Sequence, residues 1–161
     1  MDDNVVTAGV VVIGNEILSG RAQDTNLQFI AKYLVGKGIS IGEAQGIPDI
    51  ESIVVRTAND FRARFDYVLT TGGIGPTHDD ITTDCIAAAF NVGVVVNADI
   101  ETRIRNRPAP DDVMASRLRM ARVPEGATLI DNPTGGPQGF DIELSLIHIS
   151  APTRLGMISY D

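Results

Sequence analysis

The 161-residue sequence contains no tryptophan, two histidines and a single cysteine, Cys85. One cysteine excludes an internal disulfide and a zinc site built from several cysteines. Cys85 lies in the segment ITTDCIAAAF, and we expect it on the apolar face of a helix, as a small core residue rather than a nucleophile. No apolar run reaches the ~20 residues that a membrane-spanning helix needs, so we expect no membrane partner.

Basic residues are also few. The chain has 13 Lys and Arg against 21 Asp and Glu, and its formal net charge is −8. Nucleic-acid binding requires a basic surface, so we expect no nucleic-acid partner, whereas a local group of arginines would suffice for a small phosphate-bearing ligand. The start, MDDNVVTAG, is acidic and lacks the basic stretch of a secretory signal, so we expect a cytoplasmic protein.

Apolar runs rich in β-branched residues alternate with segments of helical periodicity. We predict strands at residues 5–14, 39–47, 67–71 and 92–97, and short apolar pieces at 127–130 and 139–142. We predict a helix over 24–38, whose apolar face consists of Leu27, Ile30, Ala31, Leu34 and Val35. A second helix is predicted after Asp49, and its apolar face consists of Ile50, Ile53, Val54 and Phe61. A third is predicted over 82–90, and two amphipathic helices are predicted in 98–123, interrupted by Pro108 and Pro110. The alternation predicts one α/β domain with a largely parallel sheet.

The segment TTGGIGPTHDD, residues 70–80, joins the predicted third strand to a helix. Glycines let an anion approach backbone N–H groups closely, and the start of a helix adds unpaired donors and partial positive charge. Ligands bind where loops leave the carboxyl ends of parallel strands. The segment has neither the closing GK[ST] of a Walker A loop nor Rossmann spacing. It nevertheless predicts a phosphate site at this loop.

Two carboxylates, Asp79 and Asp80, follow the glycines, and they would repel a phosphate unless a cation lay between them. Mg²⁺ takes such hard oxygen ligands, so both residues are candidate metal ligands or general bases, with Asp84 a weaker third. The alternative is that Asp80 caps the helix and Asp79 faces water. His78 would donate a hydrogen bond or titrate near neutral pH, and we do not expect it to bind metal.

A second polar loop, GNEILSGRAQDTN at residues 14–26, follows the first strand. That strand should be central, so the two loops should meet. Arg21 could then bind phosphate, and Glu16 could bind metal or a heterocycle. Alternatively, Asp24 and Asn26 cap a helix while Glu16 and Arg21 form a surface ion pair. Asp49 is either a third carboxylate at the same sheet edge or an N-cap.

The stretches VVIGNEILSGRAQDTN and YVLTTGGIGPTHDDITTDCIAAAF resemble the MoaB/Mog molybdopterin-binding domain family, in the branch typified by competence/damage-inducible protein A (CinA). The family's TGG-x-G and D-x-T motifs are matched by these residues: Thr71, Gly72, Gly73, Gly75, Asp80 and Thr82. The wording GPTHDD and the later RMARVPEGATLIDNPTGGPQGF also resemble the CinA-like branch. The resemblance covers about residues 5–143.

The resemblance implies a three-layer α/β/α sandwich with a mostly parallel sheet, assembled as a homo-oligomer (trimer or dimer). The ligand would be molybdopterin or a dinucleotide, with phosphate in the glycine loop and a divalent metal, Mg²⁺ or Co²⁺. By analogy with the family, the candidate residues are Asp80, Asp49 and Asp79 for catalysis, Asp79 and Asp80 for metal, and Thr71, Gly72, Gly73, Gly75, Thr82, Glu16, Asn26 and Ser19 for the ligand.

Three functions follow from the resemblance. The first is hydrolysis of a phosphoanhydride such as that of ADP-ribose or FAD, in which one of Asp79 and Asp80 positions water and the other holds metal. The second is Mg²⁺- and ATP-dependent adenylylation of molybdopterin, in which two aspartates that match Asp49 and Asp80 matter. The third is binding without turnover. Independently of the resemblance, a structural or assembly role of the helices in residues 100–122 is a further alternative. The branch-specific wording favours hydrolysis.

After Glu143 the sequence LSLIHISAPTRLGMISYD departs from the family pattern. We therefore expect residues 1–143 to form the domain, truncated at its C-terminal end, and residues 144–161 to be a non-native tail. On this hypothesis the sheet lacks its last strand, and His148 has no functional role.

Overall fold

The computed structural model describes residues 5–21, 24–132, 138–143 and 146–149. Eight strands are present in this part of the chain: β1 Thr7–Ile13, β2 Ser40–Ile47, β3 Tyr67–Thr71, β4 Val94–Val96, β5 Arg122–Pro124, β6 Thr128–Ile130, β7 Gly139–Ile142 and β8 Leu146–Ile149. The helices are α1 Asn15–Leu18, α2 Asn26–Gly36, α3 Glu51–Arg64, α4 Thr82–Ala89, α5 Ala98–Arg105 and α6 Asp111–Leu118, with a 3-10 turn at Arg119–Ala121.

Six strands form one sheet in the order β2-β1-β3-β8-β7-β6. The pairs β1–β2, β1–β3 and β3–β8 are parallel, and β7 pairs antiparallel with β8 and with β6. β1 is central, as predicted, because its run of valines is buried on both faces of the sheet.

Alternate residues of the strands contribute to two separate cores. Val10 and Leu69 pack with Ile30 and Leu34 of α2 on one face. On the other face, Val11 and Val68 belong to a core that includes Val54 and Phe61 of α3 and Cys85 of α4. Helices on both faces of a mostly parallel sheet give the three-layer α/β fold that the sequence predicts. Val35, expected on the apolar face of α2, is instead 67% exposed.

A small lobe follows α4. β4 and β5 form a separate antiparallel pair, and α5 and α6 are the two amphipathic helices expected on either side of Pro108 and Pro110. Asn97 caps α5, since its side-chain oxygen accepts hydrogen bonds from the N–H groups of Asp99 and Ile100 at 3.1 Å. Ile100, Ala121 and Val123 form the lobe's own core.

Part of the expected tail forms a strand of the sheet, β8, and the expected truncation stays a prediction. Residues 146–149 pair with both β3 and β7, and Leu146 and Ile147 are buried. A short apolar run can form backbone hydrogen bonds on both of its sides, and β8 therefore lies between β3 and β7. The other residues of the 144–161 tail, and the role of the His148 side chain, lie outside the described part, so a non-native tail stays a prediction.

None of the described helices has both the length and the apolar character required to cross a membrane.

Candidate functional site

Three loops meet at the carboxyl edge of the parallel strands. The N–H of Gly14, after β1, donates to the carbonyl oxygen of Ile47 in β2 at 3.0 Å. The next N–H, of Asn15, donates to Oδ2 of Asp49 at 2.8 Å. The loops after β1 and β2 are therefore bonded to each other, and Asp49 lies at this edge.

Asn26 connects the first loop to the third strand. Its Nδ2 donates to Oγ1 of Thr71, the last residue of β3, at 2.7 Å. Asp24 covers the first turn of α2, since its Oδ1 accepts from the N–H groups of Asn26 and Leu27 at 2.8 and 3.3 Å. The structure therefore agrees in part with the alternative that Asp24 and Asn26 cap a helix: Asp24 accepts from the first turn of α2, which follows Thr25, whereas the Asn26 side chain bonds to the end of β3.

Gly72 and Gly73 are required by close packing. Gly72 has φ 94°, and an added Cβ would lie 2.0 Å from the carbonyl oxygen of Ile13 in β1. Gly73 has φ 67°, and its added Cβ would lie 2.3 Å from Oγ1 of Thr82 and 3.4 Å from Oδ1 of Asp49. These contacts place the Asp49 carboxylate directly beside the glycine loop (residues 72–80).

Thr82 attaches the glycine loop to α4. Its buried hydroxyl donates to the carbonyl oxygen of Gly72 at 2.9 Å. Its backbone N–H donates to the carbonyl oxygen of Gly73 at 3.0 Å. In the part of the chain that the structure describes, the N–H groups of Gly73, Ile74 and Gly75 donate to no protein acceptor. Thr82 thus fixes the loop through the carbonyl oxygens of its glycines, and the N–H groups named above are available to a ligand.

Asp80 closes the glycine loop. Its Oδ2 accepts from the N–H of Thr77 at 2.8 Å and from the Thr77 hydroxyl, and it lies beside Gly75. The residue preceding α4 is Ile81, and α4 has no side-chain cap. The alternative that Asp80 caps the helix is therefore wrong, because the turn at Thr77 takes its carboxylate back towards the glycines.

Asp79 lies at the surface and contacts His78. Its side chain is 72% exposed, and its Oδ1 lies 2.9 Å from Nε2 of His78. Among the described residues, no group of three His, Cys, Asp or Glu side chains is arranged to hold a metal ion. The metal site predicted at Asp79 and Asp80 stays a prediction; the alternative that Asp79 faces water agrees with its exposure.

Asp49 does not cap α3. The residue before that helix is Ile50, and no side-chain cap bond is present. Ile50, expected on the buried face, is 49% exposed, whereas Val54 and Phe61 are buried as predicted. Of the two interpretations, the one that places Asp49 at the sheet edge with the loops is correct.

The remaining candidates in residues 14–26 form a local exposed cluster. Ser19 Oγ donates to the carbonyl oxygen of Glu16 at 3.2 Å and accepts from Nε of Arg21 at 2.9 Å. Arg21 therefore bonds to Ser19, and no ion pair between Arg21 and Glu16 is found within the described part of the chain. The structure does not bring these three side chains into the cleft beside the glycine loop.

A small cleft that opens to solvent lies beside Gly75 and Asp80. It is lined by Ile74, Gly75, Asp80, Thr83, Asp84, Arg119, Met120, Arg122, Val123, Gln138 and Phe140. Arg122 forms a bidentate pair with Asp84, with Nη1–Oδ2 at 3.1 Å and Nη2–Oδ1 at 2.5 Å. We call this space the glycine-loop cleft.

Sequence reasoning missed the lobe's contribution to this cleft, above all Arg119 and Arg122, and also Gln138, which precedes β7. The available signal was a pair of arginines three residues apart at the end of an amphipathic segment. Nothing local shows that this segment folds back against α4, so the signal could not be interpreted without the structure.

Cys85 is a core residue, as predicted. It is 1% exposed. Burial raises the pKa of its thiol to about 12, and the nearby carboxylates of Glu51, Asp84 and Asp49 act in the same direction. A thiol that stays protonated is a poor nucleophile.

Comparison with known proteins gives consistent matches. A family model described as "Probable molybdopterin binding domain" matches residues 9–147. A protein of Pyrobaculum calidifontis is 35% identical over 135 residues, covering 83% of this chain and 52% of its own length. A CinA-like protein of Shewanella sediminis is 33% identical over 141 residues, covering 84% of this chain and 32% of its own length. The chain thus spans about half or less of these two relatives.

Solved structures agree with the sequence matches. The crystal structure of the protein CinA with unknown function from Thermoplasma acidophilum has a TM-score of 0.83 at 27% identity, covering 94% of this chain and 91% of that one. The molybdopterin biosynthesis enzyme MoaB of Thermus thermophilus has a TM-score of 0.55 at 16% identity, covering 90% of this chain and 80% of that one, which is a similarity of fold alone.

Proposed function

Because the chain belongs to the MoaB/Mog family of molybdopterin-binding domains, with CinA-like relatives, we propose that it binds a phosphate-bearing pterin or dinucleotide in the glycine-loop cleft. The proposed reaction is hydrolysis of a phosphoanhydride, such as that of ADP-ribose, with a divalent metal ion, Mg²⁺ or Co²⁺. The ligand's phosphate would contact the loop, and the rest of the ligand would extend along the cleft.

One observation supports this proposal above the others: Ile74, Gly75 and Asp80 line the same cleft. Within the described residues the N–H groups of Ile74 and Gly75 donate to no protein acceptor, and Asp80 carries a carboxylate. In phosphoanhydride cleavage, negative charge develops on phosphate oxygens, and fixed N–H donors stabilise that charge without reorganising. A purely structural loop would not need both kinds of group at one opening.

The carboxylates fit a hard divalent cation. Mg²⁺ is commonly held by one or two carboxylates together with substrate phosphates and water, so a cluster of three acids is not required. Oδ2 of Asp80 accepts two hydrogen bonds from Thr77, whereas among the described hydrogen bonds none uses its Oδ1. To bind the same metal ion, the Asp79 side chain would have to turn away from His78. When bound, the ion would neutralise charge on the phosphate oxygens.

Asp49 is the third acid of the proposed mechanism. It lies beside Gly73, and its Oδ2 is oriented by the N–H of Asn15. From this position its other oxygen can accept a proton from water or from a ligand group above the loop.

Product analysis tests hydrolysis directly. The protein is incubated with ADP-ribose and with FAD in the presence of Mg²⁺, Co²⁺ or a chelator. Asp80→Asn is the informative variant, because asparagine keeps the acceptor for Thr77 and removes the charge. Asp112→Asn, at an exposed position of α6, is the matched control. We expect the unchanged protein and Asp112→Asn to release AMP in a metal-dependent reaction, and Asp80→Asn to release none. If the unchanged protein releases no AMP with either metal, the proposed hydrolysis is refuted.

Adenylylation of molybdopterin is the second candidate. It is supported by the position of Asp49 beside the loop, since Asp49 and Asp80 match the two aspartates that matter in that reaction. The phosphate of molybdopterin would take the place of the attacking water and bond to the α-phosphorus of ATP, and pyrophosphate would leave. Incubation with ATP, Mg²⁺ and molybdopterin, followed by detection of adenylylated product, tests this alternative.

Binding without turnover is the remaining candidate. In that case the ligand should raise the thermal midpoint of Asp80→Asn as much as that of the unchanged protein, with no product under any metal. The expected trimer or dimer and the cytoplasmic location stay predictions; light scattering and cell fractionation test them.

A further inference from the structure

The glycine-loop cleft has a second wall, and that wall comes from the small lobe. The 3-10 turn Arg119–Ala121 and the start of β5 contribute Arg119, Met120 and Arg122, whereas Gly75 and Asp80 belong to the glycine loop. The lobe is therefore part of the ligand site as well as a separate packing unit.

The two arginines of this wall are in different electrostatic situations. Both guanidinium nitrogens of Arg122 that face Asp84 are bonded to its carboxylate, so the charge of Arg122 is offset within the protein. Arg119 is exposed, and in the described part of the chain its side chain makes no hydrogen bond or ion pair. Arg119 is thus available to an anionic ligand in a way that Arg122 is not.

The pair between Arg122 and Asp84 fixes where Arg119 lies. Asp84 is in the first turn of α4, and Arg122 begins β5, so the bidentate contact joins the lobe to the helix that follows the glycine loop. Arg119 lies one turn before Arg122 in the same chain segment. The contact therefore helps to hold the backbone of Arg119 beside the cleft, which Arg119 lines.

The chain's net charge makes a local cation necessary. At −8 overall, with Asp80 and Asp84 in the cleft itself, the protein repels a polyanionic ligand at long range. The N–H groups of the glycine loop can bind the oxygens of one phosphate. A second phosphate in the same cleft requires another partner, and a guanidinium presents planar, paired donors that match phosphate oxygens.

We propose that Arg119 is a specificity-determining residue that binds the second phosphate of a diphosphate whose first phosphate contacts the glycine loop. Arg119 thereby selects diphosphate-containing ligands over monophosphates. The inference rests on the proposed phosphate site at the glycine loop, and it holds for a hydrolase, a transferase or a binding module alike.

Calorimetric titration with inorganic pyrophosphate and orthophosphate tests the inference without requiring turnover. The proteins compared are the unchanged chain, Arg119→Gln, and Arg56→Gln as a control that removes the same charge from an exposed position of α3. We expect pyrophosphate to bind more tightly than orthophosphate, and Arg119→Gln to weaken pyrophosphate binding about tenfold while orthophosphate changes less than about twofold. Arg56→Gln should behave as the unchanged chain.

The outcomes separate this inference from the proposed reaction. Equal pyrophosphate affinity in Arg119→Gln and the unchanged chain overturns the role of Arg119, whatever the hydrolysis assay shows. An Arg119-dependent preference for pyrophosphate without AMP release supports the role and refutes hydrolysis alone. If ADP-ribose is hydrolysed, Arg119→Gln should raise KM about tenfold with little change in kcat, because a binding contact is lost equally in the ground and transition states.

Discussion

Replacing Gly72 with alanine should destabilise the protein far more than the same change at most other glycines. The reason is the close approach of β3 to β1 at this point. An added Cβ would lie 2.0 Å from the carbonyl oxygen of Ile13, and real Cβ atoms essentially never approach within 3.0 Å of such an atom. The backbones would have to separate by about 1 Å, but β1 is bonded to a strand on each side.

The magnitude follows from two costs. At φ 94° any residue with a Cβ is strained, which costs about 1 kcal/mol. Forcing an extra carbon into a close-packed position costs about 2 kcal/mol more, towards the middle of the usual range. We therefore expect the free energy of unfolding to fall by about 3 kcal/mol, out of the roughly 5–15 kcal/mol of a typical domain.

Gly38 offers the matched control. Its φ is 77°, and an added Cβ would meet nothing within 4 Å. Gly38→Ala should therefore cost only the backbone strain, about 1 kcal/mol. Urea unfolding followed by circular dichroism measures both variants, with the slope m checked for constancy. Equal losses at the two positions would refute the argument that the contact between Gly72 and Ile13 requires glycine.

Two further predictions concern titratable groups. Because burial raises the pKa of the Cys85 thiol to about 12, Ellman's reagent at pH 8 should leave the folded protein unlabelled and label it fully in urea; rapid labelling without urea would contradict this burial. Asp66 accepts hydrogen bonds from the N–H and hydroxyl of Thr7 at 2.7 and 2.9 Å, which lowers its pKa below the ordinary 3.8. Its contribution to stability is therefore present above pH 3.8 and lost as the pH falls through the lowered pKa. The difference in urea midpoint between the unchanged chain and Asp66→Asn should narrow in that acid range, and a constant difference from pH 7 to 3 would contradict it.

Local patterns were sufficient for most of the fold. β3 was predicted to the residue because five apolar or β-branched residues lie between an acidic turn and a pair of glycines. The run of valines in β1 predicted a central strand, and Pro108 and Pro110 marked the break between α5 and α6. Each of these features depends on sequence neighbours alone.

Side-chain roles depended on tertiary contacts and were harder to predict. Asp49 and Asp80 both precede helices, which is the usual position of a cap, yet each carboxylate bonds elsewhere: to the N–H of Asn15 and to Thr77. Val35 fits the apolar periodicity of α2 but is 67% exposed. Arg119 and Arg122 line the cleft because the lobe packs against α4. The residues next to them in the sequence do not indicate this tertiary contact.

The position of β8 has a consequence for the order in which the protein can fold as it is synthesised. Within the described chain, β6 and β7 join the other strands of the sheet only through β8, whose four residues lie at 146–149. A nascent chain that ends before residue 149 can pair β2, β1 and β3, and separately β6 with β7, but it cannot link the two halves. The β3 edge stays unpaired until β8 has been synthesised. A translation pause before residue 149 would therefore leave β3 exposed as an aggregation-prone edge strand.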